Sequence, residues 1–363
     1  MPAAETLRRQ LASVDAEAFE KALRAEAYQR LGDFLTGIEA YRRHPYHRDL
    51  PDVPVVWQEG STRLLGYGEP GASGPAVLVV PSLINRGYIL DLTAKRSFLR
   101  YLAGKGMRPF LVDWDAPGAE EADFHLTDYV DGRLGRALEV VLAHAGRPLV
   151  VGYCMGGLLA LGIALLRQEA VGGLGLLATP WDFHAPSARA AQLIEGMRPV
   201  LTDAINQTGG LSVDLLQSLF ATVGPAGIER KFRMFGGLKP GSVRARDFVA
   251  LEDWLNDGVP LVRGVAEECL FGWYVENQPA RGEWRLAGEI ISPAAFRKPC
   301  LSLVPAADRI VPPQSALALT STMSKGRHRL VAGGHIGMMT GRNAKADAYA
   351  HMAKWIFHVK GES

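Results

Sequence analysis

Residues able to do covalent chemistry gather around one cysteine. The hexapeptide Gly152-Tyr153-Cys154-Met155-Gly156-Gly157 follows the apolar run Pro148-Leu149-Val150-Val151 and opens into Leu158-Leu159-Ala160-Leu161. Strand, Gly-x-nucleophile-x-Gly, helix is the nucleophile-elbow pattern, here with Cys154 where most such sites carry serine. The elbow residue sits in a strained turn, and side chains at Gly152 or Gly156 would collide with the adjoining strand and helix. A thiol nucleophile needs a base, and the base needs a group to orient it. Asp308, in Val304-Pro305-Ala306-Ala307-Asp308-Arg309-Ile310-Val311-Pro312, and His335, in Gly333-Gly334-His335-Ile336-Gly337, fit those roles. The oxyanion of an acyl-transfer intermediate would be met by the backbone N–H of Met155 and one N–H from the loop 81–86. Ile84 is the choice for that second donor, with Leu83 the alternative.

Each assignment has a plainer reading. Cys154 could be an inert thiol in a close-packed turn, Asp308 a turn acid ahead of Pro312-Pro313, and His335 a core histidine satisfied by backbone. The remaining histidines fit the base role less well. His44 and His47 lie in an N-terminal arm, His125 and His144 flank a helix, His328 is within a strand, and His351 and His358 are on the last helix. His184, just after a strand, is the serious rival.

The elements that must position these groups alternate along the chain. Runs 76–80, 109–114, 148–153 and 174–178 read as buried strands, separated by helical patterns over 95–105, with Ser97 or Thr93 near its cap, 126–144 and the stretch after Cys154. This order implies a mostly parallel sheet with helices on both faces. Val55-Val56-Trp57 and 63–67 read as an opening hairpin, followed by the turn-rich Gly68-Glu69-Pro70-Gly71. The alternation stops at Thr179-Pro180-Trp181 and resumes with strands 299–304 and 327–331. Both later strands place Asp308 and His335 at the carboxyl edge of the sheet. The expected organisation is a helical arm over 1–48, a first core part over 49–182, a helical cap or lid insertion over 183–293, and a second core part over 294–363. In the arm, Phe19, Leu23, Leu31, Phe34, Leu35, Ile38 and Tyr41 have amphipathic spacing, which predicts docking of that face on its own domain.

Bulk properties remove several function classes. A chain of 363 residues can bury a full core. Lys+Arg 40 against Asp+Glu 38 leaves a charge of +2, with no basic stripe for nucleic acid. Cys154, Cys269 and Cys300 form neither a metal spacing nor a disulfide framework, so a reducing cytoplasm and no metal are expected. No secretion signal is visible at the N-terminus. The uncharged stretch 149–166 is long enough for a membrane span, but four glycines and a strand-like start favour a buried strand plus helix.

Taken together these residues resemble the polyhydroxyalkanoate synthases, cysteine-dependent members of the α/β-hydrolase fold, over most of the chain from about residue 75. The likeness is carried by Ile84-Asn85-Arg86-Gly87-Tyr88-Ile89-Leu90-Asp91-Leu92, Val112-Asp113-Trp114-Asp115-Ala116-Pro117-Gly118 and the Cys154 hexapeptide. Thr179-Pro180-Trp181-Asp182-Phe183, Asp308-Arg309-Ile310-Val311-Pro312 and Gly334-His335-Ile336-Gly337 complete it, and nucleophile, acid, histidine is the chain order of that fold. The resemblance implies an acyltransferase that takes 3-hydroxyacyl-CoA, holds the acyl group as a Cys154 thioester, releases coenzyme A and lengthens a polyester chain. It needs no cofactor, since coenzyme A belongs to the substrate. It assigns Asp308 to activating the incoming hydroxyl or to orienting His335. The short length resembles the subclass whose catalytic subunit works with a second subunit. Homo-oligomer formation and a place at the polymer granule surface are also expected. Two departures stand out: Arg309 where the family usually has His, and Asp115 where Trp-Gly is common. Arg342 and Lys345 are candidates for the coenzyme A phosphates, with solvated surface charge the alternative. A thioesterase, esterase or small-acceptor acyltransferase on the same fold is the rival activity, because fold and triad do not fix the acceptor. A granule- or partner-binding homologue with a vestigial triad is the non-enzymatic one.

Overall fold

The computed structural model describes residues 2–69, 71–221 and 225–361. Of the expected features, Met1 of the arm, Pro70 of the turn, 222–224 of the insertion and the last two residues lie outside them.

Eight strands form one sheet: β1 (Val55–Glu59), β2 (Thr62–Gly66), β3 (Ala76–Val80), β4 (Arg108–Asp113), β5 (Leu149–Tyr153), β6 (Gly173–Leu177), β7 (Cys300–Pro305) and β8 (Gly326–Val331). They are ordered β1-β2-β4-β3-β5-β6-β7-β8. Pairing is antiparallel through β1, β2 and β4 and parallel from β4 to β8. Every residue of β3, β5 and β6 is buried, as a parallel sheet covered on both faces requires. On one face Ala76, Leu78 and Val80 join a core with Ala137, Leu138, Val141, Leu158 and Leu161 from the helices Gly135–Ala145 and Met155–Leu166. On the other, Gly173 and Gly175 leave room for the helix Ala350–Gly361. A Cβ at Gly175 would come within 2.9 Å of Met352 Sδ. β8 is the edge strand. Its Arg327, His328 and Arg329 are exposed, charged or polar groups that discourage pairing with another chain.

Local departures from the expected elements have local causes. The helix expected over 95–105 begins only at Phe98, because Asp91–Thr93 and Arg96–Ser97 first pair as a short antiparallel ribbon. Ser97 then caps it, its Oγ accepting the Arg100 N–H at 2.9 Å. The helix expected over 126–144 opens as a π-helical turn, Asp128–Leu134, in which buried Arg133 pairs with Glu59 and Glu121. The apolar stretch 149–166 divides into β5 and the helix Met155–Leu166, and no helix among the described residues is long and apolar enough to cross a membrane.

The chain separates into two compact units, Arg48–Val223 with Leu251–Ser363, and Met1–His47 with Gly224–Ala250. The expected insertion is therefore divided: its middle groups with the arm, and the remainder with the sheet. In the smaller unit the long helix Ala16–Arg42 is capped by Asp15, whose carboxylate accepts the Ala18 N–H at 2.8 Å. It meets the helix Pro225–Gly236 at Gly37, where a Cβ would stand 2.0 Å from the Phe232 carbonyl oxygen. Phe34 and Tyr41 set their rings edge-on against Phe232. The seven apolar residues expected to form one docked face therefore behave differently along the helix. Phe34, Ile38 and Tyr41 are half-buried, whereas Phe19, Leu23, Leu31 and Leu35 are exposed, because the partner helix spans only the C-terminal part of the longer one.

Candidate active site

Cys154 stands between the end of β5 and the first turn of the helix Met155–Leu166, with φ 56° and ψ −129°. A non-glycine residue with positive φ outside a turn motif is strained, and strain of this kind survives only where surrounding packing enforces it. The enforcement is visible. The Cys154 N–H donates to the Leu177 carbonyl of β6 at 2.8 Å, and the flanking glycines allow backbones to touch. A Cβ on Gly152 would lie 2.4 Å from Gly157 Cα, and one on Gly156 would lie 2.2 Å from the Val80 carbonyl oxygen. Gly157 is equally constrained, its Cβ position lying 1.8 Å from Thr179 Oγ1. Three glycines are thus needed, not two.

Asp308 and His335 come from the loops that leave the carboxyl ends of β7 and β8. They meet there, His335 Nδ1 lying 2.7 Å from Asp308 Oδ2, and both are buried. The second carboxylate oxygen, Oδ1, accepts the N–H groups of Ile310 and Val311, each at 2.9 Å. Asp308 is therefore a turn acid and a histidine partner at once, with one oxygen for each. Cys154 is half-buried beside the imidazole. Burial opposes protonation of His335, but the Cys154 negative charge and hydrogen bonds with Asp308 and Cys154 raise its pKa from 6.5 to about 10. The ring is thus favoured in its protonated form, with Nδ1 committed to Asp308 and Nε2 left for the sulfur.

Tyr153 is a member of the site that the sequence did not single out. Its hydroxyl donates to the His335 carbonyl at 3.3 Å, and the two rings lie 5.4 Å apart. Burial and the nearby Cys154 charge push the phenol well above its usual range, so it stays a donor. Its adjacency to Cys154 was the available signal. The rival His184 is engaged elsewhere, its Nε2 lying 3.1 Å from both the Tyr274 and Val275 carbonyls.

Met155 opens its helix, so its N–H has no carbonyl partner within that helix and is free to meet an anion. The Ile84 N–H, expected as the second donor, instead donates to Ser82 Oγ at 3.1 Å. A side-chain acceptor two residues back is a routine competitor for a loop amide. Arg309 is exposed, as are Arg342 and Lys345. Cys269 and Cys300 are buried free thiols whose pKa burial raises, which makes them inert.

The arrangement is a thiol at a bend, an imidazole beside it and a carboxylate behind that. The sequence profile of the α/β-hydrolase fold matches residues 75–342. The chain belongs to the α/β-hydrolase fold family. Within it, the chain is similar to poly(3-hydroxyalkanoate) polymerase subunits. It is 27% identical over 323 residues to the poly(3-hydroxyalkanoate) polymerase subunit PhaC of Haloarcula marismortui, with 85% of this chain and 68% of that protein covered. It is 25% identical over 311 residues to the corresponding subunit of Allochromatium vinosum, with 83% of this chain and 87% of that protein covered. Among solved structures, the monoacylglycerol lipase of Paleococcus ferrophilus shares the fold with a TM-score of 0.51 and 16% identity, over 82% of this chain and 99% of that one.

Proposed function

We propose that this PhaC-like α/β hydrolase is an acyltransferase that polymerises 3-hydroxyacyl-CoA through a Cys154 thioester, with His335 as base and Asp308 as its orienting partner. The observation that supports this reading best is His335 buried between the Asp308 carboxylate, at 2.7 Å, and the Cys154 thiol. A thiolate beside an imidazolium is a strong nucleophile near neutral pH. It would attack the thioester carbonyl of the substrate, the carbon–sulfur bond to coenzyme A would break, and the departing thiolate would take the His335 proton. Thioester is exchanged for thioester, so the acyl group stays activated. His335, now neutral, would accept the proton of an incoming 3-hydroxyl as that oxygen attacks the acyl group held on Cys154; the carbon–sulfur bond to Cys154 breaks, the thiolate is regenerated, and the new ester bond extends the chain. The developing oxyanion would be met by the Met155 N–H and a donor from the 83–84 segment. Arg342 and Lys345, exposed after His335, suit the coenzyme A phosphates. The insertion over 183–293 serves as the lid in this reading. A second subunit, homo-oligomer formation and a granule location belong to the same reading.

Incubation with 3-hydroxybutyryl-CoA, following thiol release and product separately, tests it. Free coenzyme A together with insoluble polymer is expected, with or without an added second subunit. Release of only soluble 3-hydroxy acid would replace polymerase by thioesterase, and no release at all would favour a binding homologue. Cys154→Ala should abolish the acyl-enzyme seen by mass spectrometry; acylation that persists refutes the nucleophile.

A further inference from the structure

The loop 81–86, which would supply the second oxyanion donor, is fastened to the insertion as well as to its own strand. Its carbonyls at Ile84 and Arg86 accept from the Val259 N–H at 3.1 Å and from Trp254 Nε1 at 2.7 Å. Asn85 and Gly258 form an isolated antiparallel bridge. The side chain that completes the attachment is Arg86. Its Nε donates to Asp257 Oδ1 at 2.9 Å, and its Nη1 is hydrogen-bonded to Asp115. Asp115 also lies 3.5 Å from Arg63. Its φ of 54° is a conformation that suits glycine and costs most other residues. Asp tolerates this conformation better than most residues, and its Oδ1 accepts the Ala116 N–H at 2.7 Å as well as meeting Arg86, so one carboxylate holds both the turn and the guanidinium. Asp257 additionally acts on the phenol of Tyr88, another residue of the segment that follows β3.

We propose that Arg86, held between Asp115 and Asp257, is a positioning residue that sets the oxyanion loop against residues 254–259 of the insertion, so that the oxyanion site is complete only while that segment is docked. This deepens the acyl-transfer reading and rests on it. The physical reason is geometric. An oxyanion donor acts only when its N–H points at the place where charge develops, and a loop amide fixed at one end alone loses that aim. Asp115 anchors the guanidinium to the β4 end, Asp257 anchors it to the insertion, and the rigid planar fork of arginine transmits both.

The test separates chemistry that needs an oxyanion site from chemistry that needs only the thiolate. In the first, Cys154 attacks p-nitrophenyl butyrate; the ester carbon–oxygen bond breaks, p-nitrophenolate leaves, and a Cys154 thioester forms in a burst. In the second, iodoacetamide alkylates the same sulfur with loss of iodide and no oxyanion. In Asp257→Asn the burst rate should fall roughly ten- to a hundredfold, a part of what losing an oxyanion donor costs. Cys154 alkylation, read peptide by peptide, should stay within about twofold of the wild type, since the His335 pair is untouched. Asp257→Glu should restore most of the burst, which a merely space-filling role would not require. Buried Cys269 and Cys300 serve as the folding control, remaining unmodified if the variant is intact. A wild-type burst in Asp257→Asn overturns the proposal, as does a parallel fall in burst and alkylation. A wild-type protein that gives no burst sinks the acyl-transfer reading itself, and this inference with it.

Discussion

At Asp308 one carboxylate serves two purposes, and the division explains why the residue reads ambiguously in sequence. Oδ1 closes the turn through Ile310 and Val311, which fixes the direction in which Oδ2 addresses His335. The electrostatic consequence can be measured. Burial lowers the His335 pKa, while the Cys154 charge, the largest of the influences acting upward, and the bonds with Asp308 and Cys154 bring it to about 10. Cys154→Ala removes that charge and that bond and leaves burial opposed by Asp308 alone. The His335 ring midpoint, followed by NMR, should therefore drop well below 10 in this variant; a midpoint that stays put would show that the sulfur carries no charge beside the ring. That Asp308 meets His335 beside Cys154 could be anticipated because each sits in a short motif just after a strand. Tyr153 was not assigned a part because the carbonyl it meets lies 182 residues away.

At the scale of elements, the elbow depends on how closely β3, β5 and the helix Met155–Leu166 approach. Gly156 is the point of contact, and the atom its Cβ would strike is backbone, which cannot rotate aside as a side chain would. Gly156→Ala should destabilise the protein by about 1–3 kcal/mol, the usual cost of overpacking, and reduce Cys154 alkylation by displacing the elbow. Urea unfolding and peptide mapping check both; unchanged stability would mean that the helix can slide without cost. The mostly parallel sheet was legible because buried parallel strands are continuous apolar runs. The π-helical turn at 128–134, in which Arg133 meets Glu59, and the late start at Phe98, which follows the Asp91–Ser97 ribbon, were not. The Ile84 N–H, expected to meet the oxyanion, donates here to Ser82 Oγ two residues back, a local competitor.

At the scale of the whole molecule the chain distributes its segments by contact, not by order. The arm and residues 224–250 form one compact unit although the sheet's first strands lie between them in sequence. Within that unit the approach at Gly37 is set by the Phe232 backbone, so Gly37→Val should loosen the helix Ala16–Arg42. Hydrogen exchange of amides around 34–41 should accelerate at least tenfold, corresponding to about 1.4 kcal/mol or more; unchanged protection would show that the contact contributes little. The sequence by itself determined the sheet class, the placing of Cys154, Asp308 and His335 after successive strands, and the need for glycine at the bend beside Cys154. These follow from periodicity and local sterics, which neighbouring residues carry. Only the tertiary structure decided that Arg86 reaches Asp257 across 171 residues and that the insertion divides between two units. Those outcomes depend on which distant groups come within hydrogen-bond range, and no local pattern encodes that distance.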